Sequence, residues 1–237
     1  MPEKLQFSSI VERSFAILGR NLTGAALLSV LLVGLPGAFL ATQLPMPGQE
    51  SVNMLGFVAG LLVLTVGQTL LIGTVLYAVF RHLLGLPPAG ISLLLSYGTK
   101  IALPGVVVAL AVGLITGLGF LFFVVPGLIF SLVFFVAVPA AIIERLPVGE
   151  ALRRSVQLTD GHRWSLLAYL VIVWVASLLI GWFVTIVFHP VGLADVASVI
   201  ASSLISAFTA IVTSVVYHDL RRMQDGATAE NMVEALK

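Results

Sequence analysis

The side chains able to do chemistry in this chain gather in a few short stretches. Glu144 and Arg145 stand together, Tyr217, His218, Asp219, Arg221 and Arg222 form a second group, and Glu150, Arg153, Arg154, Gln157, Asp160, His162 and Arg163 a third. Carboxylates beside guanidinium groups form ion pairs, which partial desolvation strengthens. The expectation for Glu144, Arg145, His218, Asp219 and Arg221 is therefore a structural cluster at a boundary between apolar and aqueous surroundings. Asp160 with His162, and His218 with Asp219, suggest metal or acid–base chemistry. Neither pair has a ligand spacing, however, and no HExxH or G-x-S-x-G pattern with suitable partners occurs. With no cysteine there is no thiolate nucleophile, disulfide or Cys-ligated metal. The expectation is a protein without catalytic site, metal or cofactor, and not an enzyme.

Two further sets of residues point to binding. Glu150, Arg153, Arg154 and Gln157 recur at i, i+3, i+4 and i+7, with Val148, Ala151 and Leu152 on the other side, which predicts a short amphipathic helix. Arg153, Arg154, Gln157 and the following Arg163 are the candidate contacts to lipid or to a protein partner. Each cation near an anionic membrane surface contributes about 1 kcal/mol. The plainer alternative is that this segment only closes a connection. Gln68, Ser202, Ser206 and Thr213, with Ser198 and Thr209, form a polar stripe in apolar surroundings. Such hydroxyls either bond back to their own helix or line a pathway or lipid groove.

The elements that carry these groups are apolar. Only 10% of the 237 residues are charged and 59% are hydrophobic, far from the quarter charged that soluble domains average. A net charge of +1 argues against nucleic-acid binding, which needs clustered cations to neutralise phosphates. Crossing about 30 Å of hydrocarbon takes about 20 residues. On that criterion the chain is an all-α integral membrane protein with six spans, at 22–44, 54–80, 101–125, 127–143, 164–188 and 193–217, forming one domain over 1–237. The third and fourth are read as a hairpin turning at Pro126-Gly127.

All twelve Lys and Arg then lie on one side: Lys4, Arg13, Arg20, Arg81, Lys100, Arg145, Arg153, Arg154, Arg163, Arg221, Arg222 and Lys237. Basic residues resist translocation, so both termini are expected in the cytoplasm. The N-terminus lacks the layout of a cleaved signal peptide, so the first span is expected to remain in the mature chain.

Before the first, third and fifth spans lies a short amphipathic segment, ending at Gly19-Arg20-Asn21, Gly98-Thr99-Lys100 and Gly161-His162-Arg163. Phe7, Ile10, Val11 and Leu18 oppose Ser9, Glu12, Arg13 and Arg20 in the first, and Ile91, Leu94 and Leu95 oppose Ser92, Ser96 and Lys100 in the second. Glycine at each end permits a left-handed cap, so the pattern predicts three repeated units of interfacial helix plus transmembrane hairpin. Gly56 with Gly60, and Gly113 with Gly117, have the spacing of close helix approach, either inside the protomer or across a homo-oligomer face.

One stretch resembles a known family. Pro126-Gly127, Pro139, Glu144, Gly149, Ala151, Leu152, Arg154, Ser155, Leu158, Thr159, Gly161 and Trp164 are similar to the membrane domain of some glycerophosphodiester phosphodiesterases and to its stand-alone six-span prokaryotic relatives. Tyr217-His218-Asp219-Leu220-Arg221 is similar to that family's closing segment, while the N-terminal half fits only by hydropathy. The resemblance implies a polytopic protein of a bacterial-type inner membrane. It does not imply phosphodiesterase activity, since the catalytic barrel would need about 250 residues of its own. No ionisable residue lies near the middle of a predicted span, which argues against an ion-coupled carrier. The expected function is non-enzymatic binding, as an accessory or scaffold subunit or a lipid-organising factor, with membrane lipids, a membrane-protein partner or a second copy as partners. The alternative is a channel or facilitator for a small solute or lipid.

Overall fold

The computed structural model describes residues 7–20, 22–44, 53–87 and 90–226. Lys4, Asn21, residues 45–52 between the first two spans and Lys237 lie outside the described residues, as do the side chains of Phe7, Ser9, Arg20, Ile91, Leu94 and Lys100. The chain opens with α1 (Phe7–Arg20). The first long apolar segment comprises α2 (Leu22–Ser29), a π-helical turn (Val30–Gly34) and α3 (Leu35–Ala41). Next come α4 (Met54–Leu83), α5 (Ile91–Phe122), α6 (Val124–Val133), α7 (Ala137–Glu144) and α8 (Val148–Thr159). The chain continues through α9 (Arg163–Phe188), a single 3-10 turn (His189–Val191) and α10 (Ala194–Asp225).

Among the described residues the regular structure is entirely helical, and six segments are long and apolar enough to span a membrane. Trp174, Trp182, Leu114 and Phe122 point outward, an arrangement that suits hydrocarbon and not water. The protein is thus a multi-pass helical membrane protein.

Three prolines shape the spans, each through the carbonyl four residues earlier, which it cannot satisfy and against which its ring clashes. Pro36 leaves the Leu32 carbonyl without its helical donor, and the preceding turn widens so that the Leu35 N–H bonds to the Val30 oxygen. Pro126 acts on Phe122, where α5 ends, and Phe123 becomes extended (φ −159°, ψ 152°) before α6 starts. The hairpin therefore turns at Phe123, three residues before the expected Pro126-Gly127. Pro126 sits in the first turn of α6, where a missing N–H is harmless. Pro139 acts on Phe135, and the fourth span breaks between α6 and α7. There the Ala137 N–H bonds to the Phe134 oxygen (3.1 Å), which strips the Val133 carbonyl of its helical partner.

The released Leu32 carbonyl meets α4 at Gly67, where a Cβ would run into it. Leu40 likewise lies within 3.3 Å of a Cβ built on Gly60, so the small residues of α4 seat the first span. Gly113 and Gly117 pack against nothing within 4 Å.

The expected separation of the second amphipathic segment from its span is not observed, because α5 runs unbroken through Gly98 from Ile91 to Phe122. A glycine inside a helix costs only about 1 kcal/mol, too little to end one whose apolar run continues. The left-handed cap occurs at Gly161 (φ 75°), and neither Gly19 nor Gly98 has a positive φ. α10 also continues beyond Tyr217 to Asp225, where Gly226 (φ 64°) closes it. It packs against α1, α4, α7, α8, α9 and the first span. The core is densest where α4, α7 and α10 end, around Leu76, Phe80, Ile142, Ile143, Val216 and Leu220.

Candidate functional site

The ends of α7 and α10 and the middle of α8 bring one set of charges together. Glu144, the last residue of α7, receives the Arg154 Nε–H at both carboxylate oxygens (3.1 and 3.0 Å) and the Tyr217 hydroxyl at Oε1 (2.9 Å). Arg154 also donates through Nη2 to Asp225. Arg221 completes the group, with Nε 3.8 Å from Glu144 Oε1 and 3.6 Å from Asp225 Oδ2, and with Nη1 3.4 Å from the Tyr217 oxygen. Tyr217, Arg221 and Asp225 share a face because they are spaced four residues apart on α10. Burial opposes the Arg154 charge, but its hydrogen bonds to Asp225 and Glu144 and the field of both carboxylates prevail. They raise its pKa above the ordinary arginine value.

A second clasp joins α1 to α10. Arg13 holds Asp219 through two bonds (Nη1–Oδ1 3.2 Å, Nη2–Oδ2 2.5 Å), and His218 Nδ1 lies 3.1 Å from Asp219 Oδ1. Phe15 packs on Phe208, 4.8 Å between ring centroids, and Ile10 and Ile17 are buried. The other histidine neighbourhood is separate: His162 Nδ1 contacts the backbone oxygen of Asp160, not its carboxylate.

The broken span supplies a third attachment. Ser155 of α8 donates its hydroxyl to the Val133 carbonyl (2.7 Å), the acceptor stranded by the break before α7, and Thr159 reaches it at 3.4 Å. Gln224 of α10 in turn donates to the Gln157 carbonyl (2.7 Å) near the end of α8. Ala151, Ser155, Leu158 and Thr159 are buried, whereas Arg153 and Gln157 are exposed.

The expected contact set therefore divides. Arg153 and Gln157 remain open, and Arg163 is half-exposed with a 3.5 Å pairing to the exposed Asp160. Arg154 turns inward and joins the boundary group of Glu144 and Arg221, so it is not on the open face predicted for it. Its helical position lies between the two faces, and the carboxylates of α7 and α10 decide its side. Arg145 is exposed in a left-handed conformation (φ 51°) after α7 and stays apart from that group. His218 and Asp219 form the neighbouring clasp.

The hydroxyl stripe of α10 also divides. Ser202 is exposed and donates to the Val199 carbonyl (3.1 Å), while Thr213 is buried and donates to that of Thr209 (2.8 Å). Ser206 and Gln68 are half-buried. Asp225 and Arg13 are absent from the candidate site residues that the sequence suggests. The four-residue spacing from Tyr217 reveals Asp225 only once the last helix is extended past Tyr217.

Against known proteins, residues 52–220 match the family described as Domain of unknown function (DUF7847). No curated protein and no solved structure matches. The matched stretch contains the break in the fourth span, the whole of α8, and Glu144, Arg154 and Tyr217. The chain belongs to the DUF7847 family.

Proposed function

We propose that this protein is a non-enzymatic membrane protein that works by binding, as an accessory subunit or a lipid-organising factor. In this reading it resides in a bacterial-type inner membrane with both termini in the cytoplasm, and α8 lies at that face. The observation that carries the proposal is the way α8 is held. Arg154, Ser155 and the Gln157 carbonyl fasten it to α7, the broken span and α10. Arg153 and Gln157 meanwhile stay exposed, with Arg163 beyond them. A helix fastened at three points presents its open side chains in one arrangement, so a partner or headgroup meets a preorganised surface.

Two other features support binding over conduction. Thr209 and Thr213 donate to carbonyls of their own helix at 2.9 and 2.8 Å, so these hydroxyls are satisfied without water. The likeness of residues 125–164 to the membrane part of certain phosphodiesterases also fits a role beside a catalytic unit, not as one.

The test is mass spectrometry of whatever co-purifies with the protein in native lipid, for wild type and the R153Q/R163Q double variant. A stoichiometric lipid or protein that is retained by wild type and depleted in the variant supports the reading. Wild-type protein carrying no defined companion, or a companion unaffected by both substitutions, overturns it.

A further inference from the structure

The end of α4 repeats a feature of the end of α10. The sequence Val75-Leu76-Tyr77-Ala78-Val79-Phe80-Arg81 matches Val215-Val216-Tyr217-His218-Asp219-Leu220-Arg221 in its Val75, Tyr77 and Arg81 and in the apolar Leu76 and Phe80, and departs from it at His218 and Asp219. The geometry matches too, since Arg81 Nη1 lies 3.4 Å from the Tyr77 oxygen and Arg221 Nη1 lies 3.4 Å from that of Tyr217. The two pairs sit at the same level of the bundle, because Phe80 of one segment and His218 of the other have ring centroids 6.1 Å apart.

Their neutralisation differs. Arg221 has the carboxylates of Glu144 and Asp225 within 4 Å. Arg81 has no carboxylate among the described residues; it has the Tyr77 ring beneath it (5.7 Å), the Tyr77 hydroxyl and the neutral Pro87 carbonyl (2.9 Å). Its Nε, like that of Arg221, is buried without a hydrogen-bond partner, so the difference between the two lies in the carboxylates. A half-buried guanidinium without a counter-charge is unfavourable, and a planar, weakly hydrated fork suits a phosphate group. The loop beside it is open, with Gly85, Leu86 and Pro87 exposed.

We propose that Arg81, with the turn at 84–87, is a binding site for a phosphate group, the headgroup of an anionic phospholipid or free phosphate. This site deepens the lipid arm of the binding reading and is distinct from the open face of α8. The phosphate takes the place that Glu144 and Asp225 occupy at Arg221. Leu86, a residue 43% exposed, lies against the acyl chains when the source is a lipid.

The experiment uses the full chain in nanodiscs of phosphatidylcholine alone, of phosphatidylcholine with phosphatidylglycerol, and of phosphatidylcholine with millimolar inorganic phosphate. Thermal unfolding and native mass spectrometry are read for wild type, R81Q and R153Q/R163Q. Phosphatidylglycerol raises the wild-type midpoint, and R81Q loses most of that rise and retains at least fivefold less phosphatidylglycerol. Inorganic phosphate reproducing the rise identifies the free ion as the ligand, and phosphatidylglycerol acting alone identifies the lipid. An equal response in wild type and R81Q overturns the site. If R153Q/R163Q alone loses lipid, the α8 reading stands and this one falls; loss in R81Q alone gives the reverse. Should R81Q fail to fold, hydrogen exchange of wild-type residues 84–86 decides. Slower exchange on addition of phosphatidylglycerol or phosphate supports the site, and exchange unchanged by both overturns it.

Discussion

Replacing Glu144 by Gln tests whether the charged group at the end of α7 holds α8 in place. The amide keeps one acceptor for the Tyr217 hydroxyl but can turn an NH2 toward the Arg154 Nε–H that now donates to both oxygens. At 3.0 Å and an effective dielectric of about 20, the Glu144–Arg154 attraction is about 5.5 kcal/mol before desolvation is subtracted. The side chains are only 16% and 19% exposed, so little water replaces what is lost. Removing one member of a buried pair costs about 3–5 kcal/mol. Asp225 still faces Arg154 and Arg221, which places E144Q near the lower end, at about 3 kcal/mol. R154M should cost a similar amount, because Glu144 keeps Tyr217 and Arg221.

The double variant is the sharper measurement. A shared interaction is lost only once, so E144Q/R154M should cost about 3–4 kcal/mol instead of about 6, a coupling of about 2–3 kcal/mol. Denaturation in mixed micelles followed by circular dichroism gives these values. Hydrogen exchange along Val148–Thr159 shows whether α8 loosens first. Strict additivity, or single effects below about 0.5 kcal/mol as for exposed surface pairs, would refute the view that these charges act as one buried unit.

Two other perturbations probe the proline-made breaks. Gly67→Ala drives a Cβ into the Leu32 carbonyl and should destabilise the protein by about 2 kcal/mol, within the range for overpacking. Gly113→Ala, with nothing within 4 Å, should be neutral or stabilising by up to about 1 kcal/mol. The same denaturation assay compares them, and equal effects would contradict the close approach of α4 to the first span. Ser155→Ala leaves the Val133 carbonyl with only the 3.4 Å contact of Thr159 and should cost about 1–2 kcal/mol. Faster hydrogen exchange at Ala137 and its neighbours in that variant is the confirming signal, and unchanged exchange would count against the bond.

Length and apolarity are enough to locate the six spans, because a chain that must satisfy every backbone group in hydrocarbon has few ways to do so. Where spans break is harder to read, although the signal lies in plain view. Pro126-Gly127 has the composition of a turn, yet a proline acts on the carbonyl four residues before it, which moves the break to Phe123. Applied to Pro139 and Pro36, the same rule accounts for the break before Ala137 and the widened turn at Val30–Gly34. Pro104 marks the limit of the rule, since α5 passes through it unbroken.

The glycines that close amphipathic segments show why local motifs mislead. Gly161 takes the left-handed conformation that the sequence suggests, but Gly98, with the same flanking pattern, lies inside a continuous helix. Tertiary tethering separates the two cases. Thr159 and Ser155 are bonded to the Val133 carbonyl, which fixes where α8 must stop, and no such tether is seen among the described contacts of the segment before Gly98. That carbonyl is open to them only because Pro139 broke the fourth span. The placement of α8, and with it the inward turn of Arg154, thus depends on a proline in another element, a dependence that periodicity within α8 cannot reveal. For the same reason Arg153 and Arg154, adjacent and identical in type, have opposite fates: one faces outward and the other meets two carboxylates brought by α7 and α10.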